Sequence, residues 1–421
     1  MHNLIGDVSS AARILPDLDG ETLFIRNGKG PYLWDAQGRR YIDTALGFGA
    51  VLLGHANERV NAQVAIALGD SAAPSWAHVR EHAAASALAA HTGALSKVIF
   101  TNSGSEAVHL ACRAARAYTG RGKIAKMAAG FDGWFDDVSF GNVTSSEACF
   151  SDQQRPSTAR TTLLRFNDFD DVQRLFAEDS DIAAVILEPM LANAGCIMPA
   201  AGYLEHVQTV ARAHGALVIS DEVLMGFRLS AGLASHQAGL DPDIASVGKA
   251  IGNGVPVSAI VGKPHILAGF EEGRVLRGGT FSGNPMACAA VMSTLDLLDS
   301  ADYAQLIARG ERLRQAIVEI FRTEGITVST SGYGNVFSVW PSPQPPANYA
   351  QAMAFANPEF SKALHLALRQ AGLLVMPSVF GRLYLSFEHS DGVVLEMTAA
   401  FKVAAAKLAA RFAAGSTGPA A

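Results

Sequence analysis

Several short polar clusters in this chain each follow an apolar run, and their residue types suit work on an anionic, carbonyl-bearing ligand. Lys249 lies in SVGKAIGNGVP, among glycines and apolar neighbours. Partial desolvation of such a lysine lowers the amine's pKa and frees it to attack a carbonyl. The same string also suits a solvent-facing loop lysine. Asp221 ends the apolar run ALVISD. A carboxylate there is costly to bury alone, so it calls for a cationic heterocycle, a metal or an arginine, unless it is an ordinary helix N-cap. No histidine ligand lies nearby, which argues against metal. Asn102-Ser103-Gly104-Ser105-Glu106 joins a strand-like run to a helical one. Small residues at a helix N-terminus let backbone amides approach an anion; a plain Ser/Gly cap is the alternative. No GKS or GKT follows and no GxGxxG is present, so neither a Walker loop nor a dinucleotide fingerprint is formed. Glu188-Pro189 ends another apolar run, with Asn193-Ala194-Gly195 in a loop beyond it. Gly278 to Pro285 (GGTFSGNP) is a second glycine- and hydroxyl-rich segment, or a plain connector.

The elements that must carry these clusters follow from periodicity. Apolar runs predict strands at 97–102 (KVIFTN), 123–127, 161–166, 183–188 (AAVILE), 216–221 (ALVISD), 244–247 and 258–262 (SAIVG). Ala-rich amphipathic segments such as 106–118 and 203–214 separate most of them. Continuous apolar strands between helices predict an α/β fold, with a mainly parallel seven-stranded sheet covered on both faces. Ligands of such sheets bind beyond the carboxyl ends of the strands, so the clusters converge on one crevice. Two outer pieces flank this core. The segment 32–43 (YLWDAQGRRYID) reads as a hairpin turning at Ala36–Gly38. Beyond about residue 300 come a long amphipathic helix and strands near 336–340 and 383–387. The expected division is 1–50 as an N-terminal segment joining a smaller α+β domain, 51–300 as the large domain, and 301–421 as the rest of the small one.

Composition narrows the function classes. The chain has 421 residues, 49% hydrophobic and 17% charged, with net charge −6. Nothing favours nucleic acid or an acidic membrane surface, which need a basic patch. Cys112, Cys149, Cys196 and Cys288 form no CxxC pair and read as reduced thiols of a cytoplasmic protein, with no zinc spacing. Met1 to Ser10 lacks the basic-then-apolar pattern of a signal peptide, and no apolar run spans a bilayer. The tail 413–421 (AAGSTGPAA) is expected to fray.

Taken together, the strings FTNSGSEA, ILEPM, VISDEVLMGFR, VGKAIGNGVPV and GGTFSGNP, with the 28-residue step from Asp221 to Lys249, resemble the class III aminotransferases of pyridoxal-phosphate (PLP) fold type I. The resemblance runs from about residue 6 to residue 400. It implies PLP as cofactor, joined to Lys249, which then moves the proton between substrate carbon and cofactor. It implies that Asp221 bonds the pyridine nitrogen and keeps it protonated. Ser103, Gly104 and Ser105 are expected to hold the phosphate. Thr280 is expected to reach the phosphate of a neighbouring subunit, making the working unit a homodimer. Val223 is expected on one face of the ring and Phe131 on the other, where relatives usually have Tyr. Glu188 and Asn193 are expected near the cofactor's hydroxyl.

Within the family the chain is most similar to glutamate-1-semialdehyde aminomutase and related amino-acid aminotransferases. There a serine and an arginine three residues later bind the substrate carboxylate, here Ser10 and Arg13, and an arginine fork suits a carboxylate. Two departures stand out. Phe131-Asp132-Gly133 replaces the aminomutase's Tyr-His-Gly, and the region after Met376 has no match to its Gln-Phe-Glu. These favour an intermolecular, ping-pong transfer from a carboxylate-bearing amine (a β-amino acid or aromatic amino acid) to a keto acid. Phe48 and Trp76 are candidate apolar contacts, and Arg382 a second carboxylate ligand. The rival readings are the aminomutase, a PLP-dependent racemase or epimerase, and a binding protein that lost catalysis. Retention of Lys249, Asp221 and Thr280 argues against the last.

Overall fold

The computed structural model describes residues 3–18, 20–151 and 154–415. Near the N-terminus, β1 (Ile25–Lys29), β2 (Tyr32–Asp35) and β3 (Arg40–Asp43) form an antiparallel meander. β2 and β3 are the hairpin read from the sequence. Asp35 builds its turn by accepting from the backbone amides of Gln37 and Arg39 at 3.0 and 2.8 Å.

The central sheet contains β4 (Lys97–Thr101), β5 (Lys123–Met127), β6 (Thr161–Leu164), β7 (Ile182–Leu187), β8 (Leu217–Glu222), β9 (Ile244–Val247) and β10 (Ser258–Gly262). All seven coincide with the expected strands to within two residues at either end. Their order is β4-β10-β9-β8-β7-β5-β6. Every neighbouring pair is parallel except those of β10, which runs against both β4 and β9. β7 and β8 are buried along their whole lengths, as strands covered on both faces must be. The helix Gly104–Thr119 packs across β7, β9 and β10. It starts at a capping box between Ser103 and Glu106 and ends at Gly120 with φ +71°, a left-handed cap that suits glycine.

After the long helix Tyr303–Thr323 come β11 (Ser329–Tyr333), β12 (Val336–Trp340), β13 (Leu373–Leu374) and β14 (Leu383–Tyr384). β13 pairs in parallel with β3, so the two ends of the chain share a sheet. Two expectations need correction. The strand expected over 383–387 stops at Tyr384: the Leu385 amide still follows the ladder to Asn335, but the Phe387 amide turns away to Leu52, each at 3.0 Å. The tail expected to fray from 413 is helical to 415, within Asp391–Gly415; its alanines are strong helix formers. Residues 416–421 lie outside the described residues. The four cysteines are unbridged, with Cys149 exposed and the others buried. Among the described residues no helix is long and apolar enough to cross a membrane.

Candidate active site

The carboxyl ends of β4, β5, β7, β8 and β9 meet the start of β10 around a cavity of about 300 Å³, enough for a small cofactor. Ser103, Gly104, Ser105, Phe131, Glu188, Asn193, Asp221, Val223 and Lys249 all line it. Because β8 lies between β9 and β7, Asp221 sits between Lys249 on one side and Glu188 on the other.

Lys249 follows β9 in the left-handed region, with φ +45°. A non-glycine residue held there stores backbone strain, a frequent feature of functional positions. Its amine is pushed down to about 8 by burial and then by Arg382, while Asp221 and Glu188 pull the other way. Such an amine has a far larger neutral fraction near physiological pH than an ordinary lysine and is able to attack a carbonyl.

Asp221 is 4% exposed. Its Oδ1 accepts from the Val223 amide and from Ser246 Oγ, both at 2.9 Å. Both bonds fall on one oxygen. Burial raises its pKa well above the carboxylate range, and Asp132 and Glu188 add to this. A cation placed against it would reverse that shift. Its sequence neighbour Glu222 turns away: it accepts from Ser220 Oγ and from the amides of Ala234 and Ser235. Of the two acids, only Asp221 faces the cavity.

Glu188 Oε1 accepts from the Phe131 amide at 3.1 Å, and Oε2 from Ala192 N and Asn193 Nδ2 at 3.3 and 3.2 Å. Burial and the nearby Asp132 nonetheless push it up to about 7. At the helix N-terminus, the capping box occupies the amides of Asn102, Ser103 and Glu106. The first-turn amides it leaves are those of Gly104 and Ser105, which an anion can take. The wall has no room for extra atoms. A Cβ on Gly104 would stand 2.9 Å from Val223, on Gly133 2.9 Å from Ser105 Oγ, and on Gly248 2.4 Å from Ser258 Oγ.

The class-III aminotransferase profile matches residues 17–385. The chain belongs to the class-III aminotransferases. An omega-transaminase from Sphaerobacter thermophilus is 29% identical, with 97% of this chain and 95% of that one covered and a TM-score of 0.89. A β-phenylalanine aminotransferase from Variovorax paradoxus is 25% identical over 100% of this chain and 93% of that one, with a TM-score of 0.86. A glutamate-1-semialdehyde-aminomutase from Pseudomonas aeruginosa PAO1, at 22% identity over 93% and 89%, shares the fold with a TM-score of 0.83. This class-III aminotransferase is a PLP-dependent transaminase of fold type I, and its cofactor is pyridoxal 5'-phosphate. The cavity fits that group: a depressed amine for its aldehyde, a buried carboxyl for its ring nitrogen, and a glycine-walled helix start for its phosphate.

The remaining expected residues stand outside this lining. Thr280 and Trp76 share a separate crevice on the surface, where Trp76 is 84% exposed. Ser10 is half-buried beside the short turn Ala11–Arg13, and Arg13 is exposed; both precede the matched span. Phe48 is half-buried in a turn where Leu46, Gly47, Phe48 and Gly49 all have positive φ; the next residue, Ala50, does line the cavity. Arg382 is buried behind the wall, donating to Tyr384 Oη at 2.8 Å and to the Ala192 carbonyl at 3.2 Å. Sequence reasoning assigned no role to Asp132, which lines the cavity, or to Lys126, which contacts it. A lysine inside KIAKM, a fully strand-like string, was the available signal.

Proposed function

We propose that this transaminase moves the amino group of a carboxylate-bearing amine, a β-amino acid or an aromatic amino acid, to a keto acid by a ping-pong sequence. The observation that carries this reading is Arg382. It is 7% exposed, and among the described residues its hydrogen bonds go to neutral oxygens, Tyr384 Oη and the Ala192 carbonyl. A guanidinium has five donors and suits a carboxylate. Arg382 also acts on both Lys249 and Glu188 electrostatically, which ties it to the reacting end of the cavity. The similarity to a β-phenylalanine aminotransferase supports the same substrate class.

Bound there, PLP supplies an electron sink that lets the hydrogen on the amine-bearing carbon leave as a proton. Lys249 Nζ would hold and move that proton, and Asp221 would accept from the ring N–H and keep it protonated. Phe131 and Val223 confine the ring, Glu188 and Asn193 face its hydroxyl side, and Ser103, Gly104 and Ser105 receive the phosphate. Thr280 completes the phosphate site of a second copy, so the working unit is a homodimer. Ser10, Arg13, Phe48 and Trp76 belong to the substrate side of that assembled site. Residues 51–300 form the cofactor-binding domain, with 1–50 and 301–421 contributing the smaller one; the β3–β13 pairing supports this division. The unbridged cysteines favour a cytoplasmic compartment.

The test is a panel of α- and β-amino acids added to purified holoenzyme without acceptor. Loss of the cofactor's visible band reports the first half-reaction, and the effective amino acids name the donor. Arg382→Met is expected to raise KM for them far more than for amines lacking a carboxylate. If only amines without a carboxylate bleach the band, the substrate class proposed here is wrong.

A further inference from the structure

Behind the cavity lies a charge pair for which the assigned chemistry has no use. Lys126, on β5, is fully buried, and its Nζ donates to the Gly130 carbonyl at 2.8 Å. Its ammonium stands 3.3 Å from Asp132 Oδ2. Asp132 is 2% exposed, lines the cavity, and accepts no hydrogen bond on either oxygen. A buried pair of this kind adds little net stability over well-packed apolar residues. Its position is more telling than its energy. Asp132, Glu188 and Asp221 are three buried carboxyl groups in one wall; burial lowers the Lys126 amine's pKa, and all three carboxyl groups pull it back up.

We propose that Lys126 and Asp132 are positioning residues: Lys126, held against Asp132, offsets the charge of the three carboxyl groups in this wall and so favours the anionic form of Asp221 toward the cofactor's ring nitrogen. The inference rests on the assignment of Asp221 to that nitrogen. Three carboxyl groups crowded in a dry wall repel one another and take up protons; a protonated Asp221 cannot serve as the anion. The other cations facing this cluster are Lys249, Arg382 and Arg228. Lys249 cannot supply the lasting charge, because its amine is the group the cofactor takes. Arg382 and Arg228 are engaged on the Tyr384 side, where Arg228 bonds the carbonyls of Leu224 and Gly49 and lies over the Tyr384 ring. Cys112 also faces the cluster, but burial keeps its thiol neutral. Lys126 is therefore the cation on the Asp132 side of the cavity.

The experiment measures the PLP dissociation constant of apoprotein between pH 6 and 9, by quenching of protein fluorescence, for the parent, Lys126→Met, Asp132→Asn and the double variant. In Lys126→Met, affinity should fall by about tenfold or more at pH 7 and recover as pH rises, because one pH unit replaces one lost unit of carboxyl acidity. Asp132→Asn, which keeps the volume, should shift the profile toward lower pH. The double variant removes one charge of each sign and should return most of the parent's affinity. A purely structural pair would lower affinity equally in the single and double variants, with no change in pH profile; that result, or a Lys126→Met profile superimposable on the parent's, overturns the proposal. Asp221→Ala is the separate control. If it leaves PLP affinity unchanged, the assignment of Asp221 fails, whatever Lys126 does.

Discussion

The amine of Lys249 offers a prediction that can be worked through in numbers. Its pKa is brought from 10.5 down to about 8. At pH 7 about 9% of a group with pKa 8 is neutral, against about 0.03% at 10.5, a ratio of about 300. At pH 11 both are mostly neutral and the ratio is about one. The assay mixes apoprotein with PLP and follows growth of the visible band. Each rate is divided by that of Nα-acetyllysine under the same conditions, which cancels the cofactor's own titration. The quotient should decline by about two orders of magnitude from pH 7 to 11, with bends near 8 and near 10.5. Arg382→Met removes the charge that, after burial, lowers this amine most, so the lower bend should move upward. A quotient that stays flat with pH would show an ordinary amine and refute the reasoning. So would a Lys249→Ala variant that reacts at the parent's rate.

Two further outcomes follow from the walls of the cavity. Gly133 has φ +124° and no room for a Cβ beside Ser105, so Gly133→Ala should weaken PLP binding by about 1–3 kcal/mol, about 5- to 140-fold; titration of apoprotein checks this, and unchanged affinity would mean the 131–133 segment is not part of the phosphate wall. Glu188 is 3% exposed and raised from 4.5 to about 7, so the folded apoprotein binds more protons than the unfolded chain between those values. Stability therefore falls as pH rises through that window, by about 3 kcal/mol from this group; Glu188→Gln should flatten the decline, and urea titrations at pH 5 and 7.5 measure the difference.

The cavity lining was legible because its residues terminate uninterrupted apolar strands. Ile182–Leu187 and Leu217–Glu222 are buried on both faces, and a run buried on both faces declares itself by composition alone. The polar residue that ends such a run must face either water or a ligand. β1 was missed for the opposite reason: four of its five residues are exposed, so it carries no apolar alternation. Lys126 was passed over because its full burial depends on what covers β5 in the folded chain, a tertiary fact that no local string states. Asp132 registered only as a departure from a motif, since its role depends on a lysine six residues away in the chain. The substrate side was least legible. Trp76 lies in a crevice away from the amine, beside the phosphate candidate Thr280, and Arg13 sits on a short exposed turn, so neither is placed at the cavity within one chain.

The adjacency of β8 and β9 has an evolutionary consequence. Asp221 pairs with Ser246 across these two strands, and Glu222 with Val247, two residues before Lys249. The gap between the amine and its counter-carboxylate is thus ruled by strand spacing, about 4.8 Å, and not by the connection running from Val223 to Asp243. Past Val223, Leu224 and Arg228, which face the site, that connection can lengthen or shorten within a lineage without changing this spacing. Substrate preference is then free to drift in the loops while the proton-transfer geometry is inherited intact with the sheet.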